Sequence, residues 1–221
     1  MGLEIEKAWF IDGGKITLEK MLPHAREVIG IEQASLPFAP REVRLSPGVL
    51  AIGQTEVHLS AECGADIAEN FISGGAFPED LEIRYRIKSS NRGKTEKLMT
   101  LKGNRTATAG VRRNEVEFAI GDKVVAQLRK LGKDFLMRKV RLVIPEHRGR
   151  FELNFYKKPV VPFVLMEREF LNSESALEYR MPDFIAALKP IEVAGLFLSD
   201  KVLASQPELA IAEFRKRVAS H

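Results

Sequence analysis

The chain has 221 residues, of which 45% are hydrophobic and 29% charged, with a formal net charge of +4. That length supports one sizeable core, no apolar run approaches the roughly 20 residues of a membrane helix, and the acidic start MGLEIEKAW lacks the basic and apolar blocks of a secretory signal. The lone Cys63 excludes an internal disulfide and a cysteine-rich metal centre, so a cytoplasmic protein is the expectation.

In chain order, the pattern predicts a strand over 3–11 and then a helix over about 17–29, capped by Thr17 although Pro23 lies inside it. Residues 30–80 carry many prolines and glycines. Within them 48–60 reads as two short strands and 65–72 as a turn or two of helix. From Leu81 the alternation is clearer, with strands at 81–88, 96–102, 113–120, 137–145, 151–156 and 162–171. A helix over 122–133 follows from the spacing of Val124, Val125, Leu128 and Leu131. Two more helices are expected near 182–189 and 207–219. No internal repeat or evident linker appears, so a single domain over 1–221 is expected, with a long connection at about 37–80.

Several strands carry charge on every second residue: Glu4 and Glu6; Arg84, Arg86 and Lys88; Arg113, Glu115 and Glu117; Lys139 and Arg141; Glu167 and Glu169. Residues two apart in a strand share a face, so each strand offers one charged side and, in several cases, one apolar side. Unpaired charge is costly to bury. Two arrangements satisfy this: a closed antiparallel barrel with a polar lumen and helices packed outside, or an open sheet with one solvated face. The four histidines have no ligand spacing. Gly13-Gly14-Lys15 lacks the spacing of a phosphate loop. The basic runs at 91–94, 111–113 and 214–217 read as solvated surface, so neither specific nucleic acid nor membrane is expected as a partner. A homodimer is allowed for.

Taken in order, these motifs resemble the CYTH superfamily, or triphosphate tunnel metalloenzymes. The residues are Glu4-Ile5-Glu6, Arg84-Tyr85-Arg86, Thr100-Leu101-Lys102-Gly103, Arg113-Asn114-Glu115-Val116-Glu117, Lys139-Val140-Arg141 and Glu167-Arg168-Glu169. The stretch 31–36 looks more loosely like the family's Gln-Gly-Tyr-Leu strand, and Glu192 falls where another carboxylate is often placed. The resemblance implies an α+β fold built on an eight-stranded antiparallel tunnel that binds triphosphate with Mg²⁺ or Mn²⁺. It implies metal-side carboxylates at Glu4, Glu6, Glu115, Glu117, Glu167 and Glu169. Phosphate-holding cations would be Arg84, Arg86, Lys88, Lys102, Arg113, Lys139 and Arg141, and the chemistry would centre on Glu117, Glu169 and Arg86. The activity implied is a metal-dependent phosphohydrolase acting on inorganic triphosphate or a small organic triphosphate. A non-catalytic polyphosphate or nucleotide binder is the alternative, with class IV adenylate cyclase ranked below it.

The donor chemistry agrees: guanidinium forks match phosphate oxygens, and hard divalent ions take carboxylate oxygens. Three departures stand out. Ala8 occupies the place of the family's lysine, and Lys7 beside it is expected on the opposite face. Asn154 stands where an aspartate is usual, with Glu152 two residues away. Residues 37–80 are longer than the usual connection, and Arg41-Glu42-Val43-Arg44 looks like a second arginine strand.

Overall fold

The computed structural model describes residues 5–108, 110–146, 149–170, 172–193 and 200–220. The strands among them are β1 (Ile5–Asp12), β2 (Glu27–Ser35), β3 (Val43–Ser46), β4 (Val49–Ile52), β5 (Thr55–His58), β6 (Glu82–Ser90), β7 (Thr95–Thr108), β8 (Gly110–Ala119), β9 (Leu136–Glu146), β10 (Gly149–Lys158), β11 (Phe163–Phe170) and β12 (Ile191–Val193). The helices are α1 (Leu18–Met21), α2 (Ala61–Phe71), α3 (Asp122–Leu131), α4 (Ser173–Leu177), α5 (Asp183–Ala186), α6 (Asp200–Ser205) and α7 (Pro207–Ala219).

The main sheet has nine strands in the order β11-β10-β9-β2-β6-β7-β8-β1-β12, and β11 also pairs with β1. This corrects the expectation of a closed eight-stranded barrel. β1 is hydrogen-bonded to β11 along its whole length, Ile5 to Asp12. On its other side β12 takes Ala8 to Phe10, and among the described residues β8 meets β1 at the single Glu6–Val111 pair. A strand has two edges, and β12 occupies the stretch that β8 would need to continue its ladder. A separate three-stranded sheet, β3-β4-β5, had no place in the expected barrel.

The predicted helix over 17–29 is also corrected. Thr17 does cap α1, accepting from the Lys20 amide at 3.4 Å, but α1 ends at Met21 and a single 3₁₀ turn holds Pro23. Proline removes the amide that a longer helix would need. From Glu27 the chain joins the sheet as β2, paired with β6 on one side and β9 on the other.

In the 37–80 stretch, Pro47-Gly48 and Gly53-Gln54 turn the chain tightly between the three short strands. Gly48 and Gly53 have φ of 74° and 56°, which glycine adopts without the Cβ penalty. The arginine-rich 41–44 run gives a 3₁₀ turn and β3, outside the main sheet. Ser60 caps α2 by accepting from the Cys63 amide at 3.1 Å. Leu50, Ile52 and Val57 of the small sheet and Ile67 and Phe71 of α2 then pack against Tyr85, Met99 and Leu101 of β6 and β7. Fully burying side chains of this size stabilises by roughly 1.5–3 kcal/mol each. α3 follows the helix dipole, with Asp122 in its first turn and Arg129 and Lys130 in its last. Glu32 of β2 anchors it, accepting from Arg129 Nε at 2.7 Å and from Arg138 Nε at 3.1 Å.

On the convex face of β1 and β9–β11, Trp9, Ile11, Leu142, Phe151, Leu153 and Met166 form a second core with Ala176 of α4 and Ile185 of α5. The third core lies on the concave face. There Phe10, Met137, Phe163 and Leu165 pack with Leu203 of α6 and Ala210 and Phe214 of α7. For α6 and α7 this revises the expectation that the helices pack outside. One end of the concave face is apolar, and the C-terminal helices cover it.

Candidate functional site

The other end of the concave face is charged, and strand register explains its composition. In the β6–β7–β8 ladders, Arg84 lies opposite Thr100, and Thr100 opposite Glu117. Lys102 lies opposite both Glu82 and Glu115. In the β9–β10–β11 ladders, Arg141 lies opposite Asn154, and Glu152 opposite both Val143 and Glu167. β2 joins the two groups, with Gln33 opposite Arg86 and Ile29 opposite Arg141. The same alternation that sends Ile83, Tyr85 and Met99 into a core therefore puts charge on the concave side.

Arg84, Arg86, Lys102 and Lys139 are all under a tenth exposed, and carboxylates accompany them. Gln33, buried, accepts from Arg86 Nε at 3.0 Å. Glu117 accepts from Lys88 at 3.1 Å and from the Thr100 hydroxyl at 3.0 Å, with an Arg86 guanidinium nitrogen 3.7 Å away. Partial desolvation alone would raise the Glu117 carboxyl, but Lys88, Arg86 and the Thr100 hydroxyl outweigh it and hold the group below the usual carboxylate range. Lys102 pairs with Glu115 at 2.5 Å.

In the second group Arg141 is the hub. It pairs with Glu152, reaches Glu167 at 3.0 Å and donates from Nε to Asn154 at 3.0 Å. Asn154, fully buried, donates to Glu167 at 2.7 Å and to the Leu165 carbonyl at 3.3 Å. Lys139 lies 5.5 Å from the Tyr156 ring centroid, within cation–π range. A cavity of about 430 Å³ separates the groups, with Arg86, Lys88, Glu115 and Glu117 on one side and Arg141, Glu152 and Glu169 on the other. Lys94, Glu96 and Arg150 also line it.

Of the residues singled out in the sequence, Arg86, Lys88, Glu115, Glu117, Arg141 and Glu169 line this cavity. Arg84, Lys102, Lys139 and Glu167 stand on the same face by register and are not among its lining residues. Glu4 lies outside the described residues, and the side chains of Glu6 and Arg113 are not described. The backbone of Glu6 pairs with Glu169. Glu192 is elsewhere: it is 56% exposed and pairs with Lys7 at 3.4 Å. That contact fits the expectation that Lys7 turns away from the charged face. Ala8, directly opposite Glu167, packs at the border of the apolar cluster.

Sequence reasoning missed Gln33 as the acceptor that fixes Arg86. The weak Gln-Gly-Tyr-Leu likeness over 31–36 was the signal for it. Asn154 was noted as a departure, but its place between Arg141 and Glu167 is a matter of pairing across strands.

The carboxylates of this face are hard oxygen donors of the kind Mg²⁺ or Mn²⁺ takes. Glu152, Glu167 and Glu169 are neighbours by register, and Glu115 and Glu117 lie two apart on one strand face. Among the described residues, no three acidic, histidine or cysteine side chains are gathered closely enough to form a ligand cluster. Four of these carboxylates, Glu115, Glu117, Glu152 and Glu167, instead hold arginine or lysine. The donor set fits a divalent ion in kind, once cations exchange carboxylate for phosphate.

No protein-family model and no curated protein matches the chain. Similar solved structures include the inorganic triphosphatase NE1496, at 19% identity and a TM-score of 0.49, covering 93% of this chain and 97% of that one. HpAC1 from Hippeastrum, described as an adenylyl cyclase candidate with a dominant triphosphatase activity, is 14% identical with a TM-score of 0.49, covering 93% and 96%. The PH1819 protein from Pyrococcus horikoshii OT3 is 17% identical with a TM-score of 0.44, covering 84% of each chain. These likenesses carry no activity across by themselves, and the functional reading rests on the residues.

Among the described residues, no helix is long and apolar enough to cross a membrane.

Proposed function

We propose that this protein is a metal-dependent phosphohydrolase acting on a triphosphate. The observation that carries the reading is one cavity whose two walls each bring cations and carboxylates together, Arg86 and Lys88 with Glu115 and Glu117 on one and Arg141 with Glu152 and Glu169 on the other. The resemblance of the ordered motifs to triphosphate tunnel metalloenzymes supports it. A triphosphate carries about four negative charges near neutral pH, and Arg and Lys supply fixed counter-charge that needs no reorganisation at the moment of reaction.

The roles follow from position. Arg86, held by Gln33 at 3.0 Å, and Lys88 and Arg141 grip phosphate oxygens. Arg84, Lys102 and Lys139 add positive potential from beneath. Glu115 and Glu117 on one side and Glu167 and Glu169 on the other would hold the divalent ion. That ion supplies charge neutralisation of the phosphoryl oxygens. Glu117 and Glu169 orient the attacking water and accept its proton. The water oxygen bonds to the terminal phosphorus, the phosphorus–oxygen anhydride bond breaks, and orthophosphate leaves with the shortened phosphate chain.

The test is phosphate release from inorganic and organic triphosphates with Mg²⁺ or Mn²⁺, which Arg86→Ala and Glu117→Ala should lower by about 10²-fold or more. Absence of turnover with every triphosphate and both metals removes the reading.

A second reading, a non-catalytic polyphosphate or nucleotide binder, is favoured by one observation. Ala8 stands opposite Glu167 where the family resemblance calls for lysine, and Lys7 is committed to Glu192. It predicts thermal stabilisation by triphosphate without product, and turnover appearing in Ala8→Lys.

A further inference from the structure

Asn154 of β10 is fully buried, and the two ends of its amide hold groups of opposite charge. Its Oδ1 accepts from Arg141 Nε at 3.0 Å. Its Nδ2 donates to Glu167 Oε2 at 2.7 Å and to the Leu165 carbonyl at 3.3 Å. Register brings this about. Asn154 lies directly opposite Arg141 on one side and Leu165 on the other, so Glu167 is its diagonal neighbour. Only one amide orientation fits: turned over, the NH₂ group would face the Arg141 Nε–H, and the oxygen would face a carboxylate.

The three guanidinium nitrogens of Arg141 therefore differ in what holds them. Nη1 pairs with Glu152, and Nη2 reaches Glu167 at 3.0 Å. Nε rests on the neutral amide. The fork of Nη1 and Nη2 is the part that matches two phosphate oxygens. When that fork exchanges carboxylate for phosphate, Nε stays anchored, and Glu167 keeps its bond to the same amide. An aspartate, which the family resemblance calls for here, has no donor for Glu167. It would also set a third carboxylate beside one guanidinium. The side chains of Arg141, Glu152 and Glu167 are each under a fifth exposed, and surplus charge in such a place is costly.

Resting on the triphosphatase reading, we propose that Asn154 is a positioning residue of this site. One neutral amide fixes Arg141 for phosphate and Glu167 for the divalent ion. The departure from aspartate is then a working part of the centre.

Nuclear magnetic resonance on the wild-type protein gives the first test. The Asn154 amide protons and the Arg141 Nε–H should be protected from solvent exchange, and should stay so when Mg²⁺ and inorganic triphosphate are added. Rapid exchange of either, before or after the addition, overturns the proposal. Asn154→Leu removes both bonds at similar volume, and Asn154→Asp removes only the donor. Turnover is measured per folded molecule with Mg²⁺ and inorganic triphosphate or ATP, whichever the wild type hydrolyses faster. Each variant should lower it by about tenfold or more, the scale of a lost supporting hydrogen bond. A purely structural role would lower the melting temperature and leave that turnover unchanged. The Nε–H should remain protected in Asn154→Asp and lose protection in Asn154→Leu. Wild-type or higher turnover in either variant overturns the proposal. If the wild type hydrolyses no triphosphate, the triphosphatase reading fails, and Mn²⁺ binding followed by electron paramagnetic resonance decides the role of Asn154 separately. Asn154→Leu should weaken that binding by about tenfold, and an unchanged affinity overturns the proposal.

Discussion

The two ends of the concave face are built by the same strands with the same alternation, yet they have opposite chemistry. On β9, Met137 sits at the apolar end, and Lys139 and Arg141 at the charged end, all on one face. On β11, Leu165 belongs to the apolar cluster and Glu167 to the charged one. The difference lies in what covers them. Leu203, Ala210 and Phe214 bring apolar surface to one end. At the other, the cavity leaves room for water and the charges satisfy one another. Alternation chooses the face, and the distant C-terminal helices decide how much of that face is core.

The sharpest break of this contrast puts a charge at the apolar end. Leu203 is fully buried, and Leu203→Asp places an unpaired carboxylate there, at a cost of about 3–5 kcal/mol. Urea denaturation should show a collapse of the midpoint, while Leu203→Met should cost under about 1.5 kcal/mol. The matching change at the charged end is Arg86→Ala. Its main effect should fall on turnover, a loss of about 10²–10³-fold, equivalent to roughly 2.7–4 kcal/mol of transition-state stabilisation. Steady-state kinetics with a triphosphate checks it.

Removing the Thr100 hydroxyl from Glu117, as Thr100→Val, should cost about 0.5–1.5 kcal/mol by thermal denaturation. Glu117 also sets a pH signature. Its folded carboxyl lies below the ordinary value, so its stabilising contribution is present above the unfolded value and fades as pH falls through the folded one. Stability measured against pH in Glu117→Gln should lose that acid-side slope. The smallest effect belongs outside the face: Lys7→Ala breaks a pair with an exposed partner and should change stability by under about 1 kcal/mol. Triphosphate turnover should be unaltered by it.

Much of this arrangement was legible in the chain. The strands between Leu81 and Phe170 announced themselves because every second residue was charged and the residues between them apolar, and the side of the sheet followed from that. Lys7 and Ala8 were assigned to opposite faces on the same reasoning. The reading failed where local pattern is ambiguous. Val28 and Ile29 suit a helix or a buried strand equally, and only pairing to both β6 and β9 made them strand. It failed again where pairing is long-range. Nothing local tells that β12 takes an edge of β1, so closure was expected where the described residues form a single pair.

The mutual pairing of the cavity charges has a kinetic consequence. Of its described lining residues, five are cationic (Arg86, Lys88, Lys94, Arg141, Arg150) and six are acidic (Glu27, Glu96, Glu115, Glu117, Glu152, Glu169). A wall so nearly balanced casts little field into solvent, so the association rate of a small polyanion should change little with ionic strength, which stopped-flow binding at two salt concentrations checks.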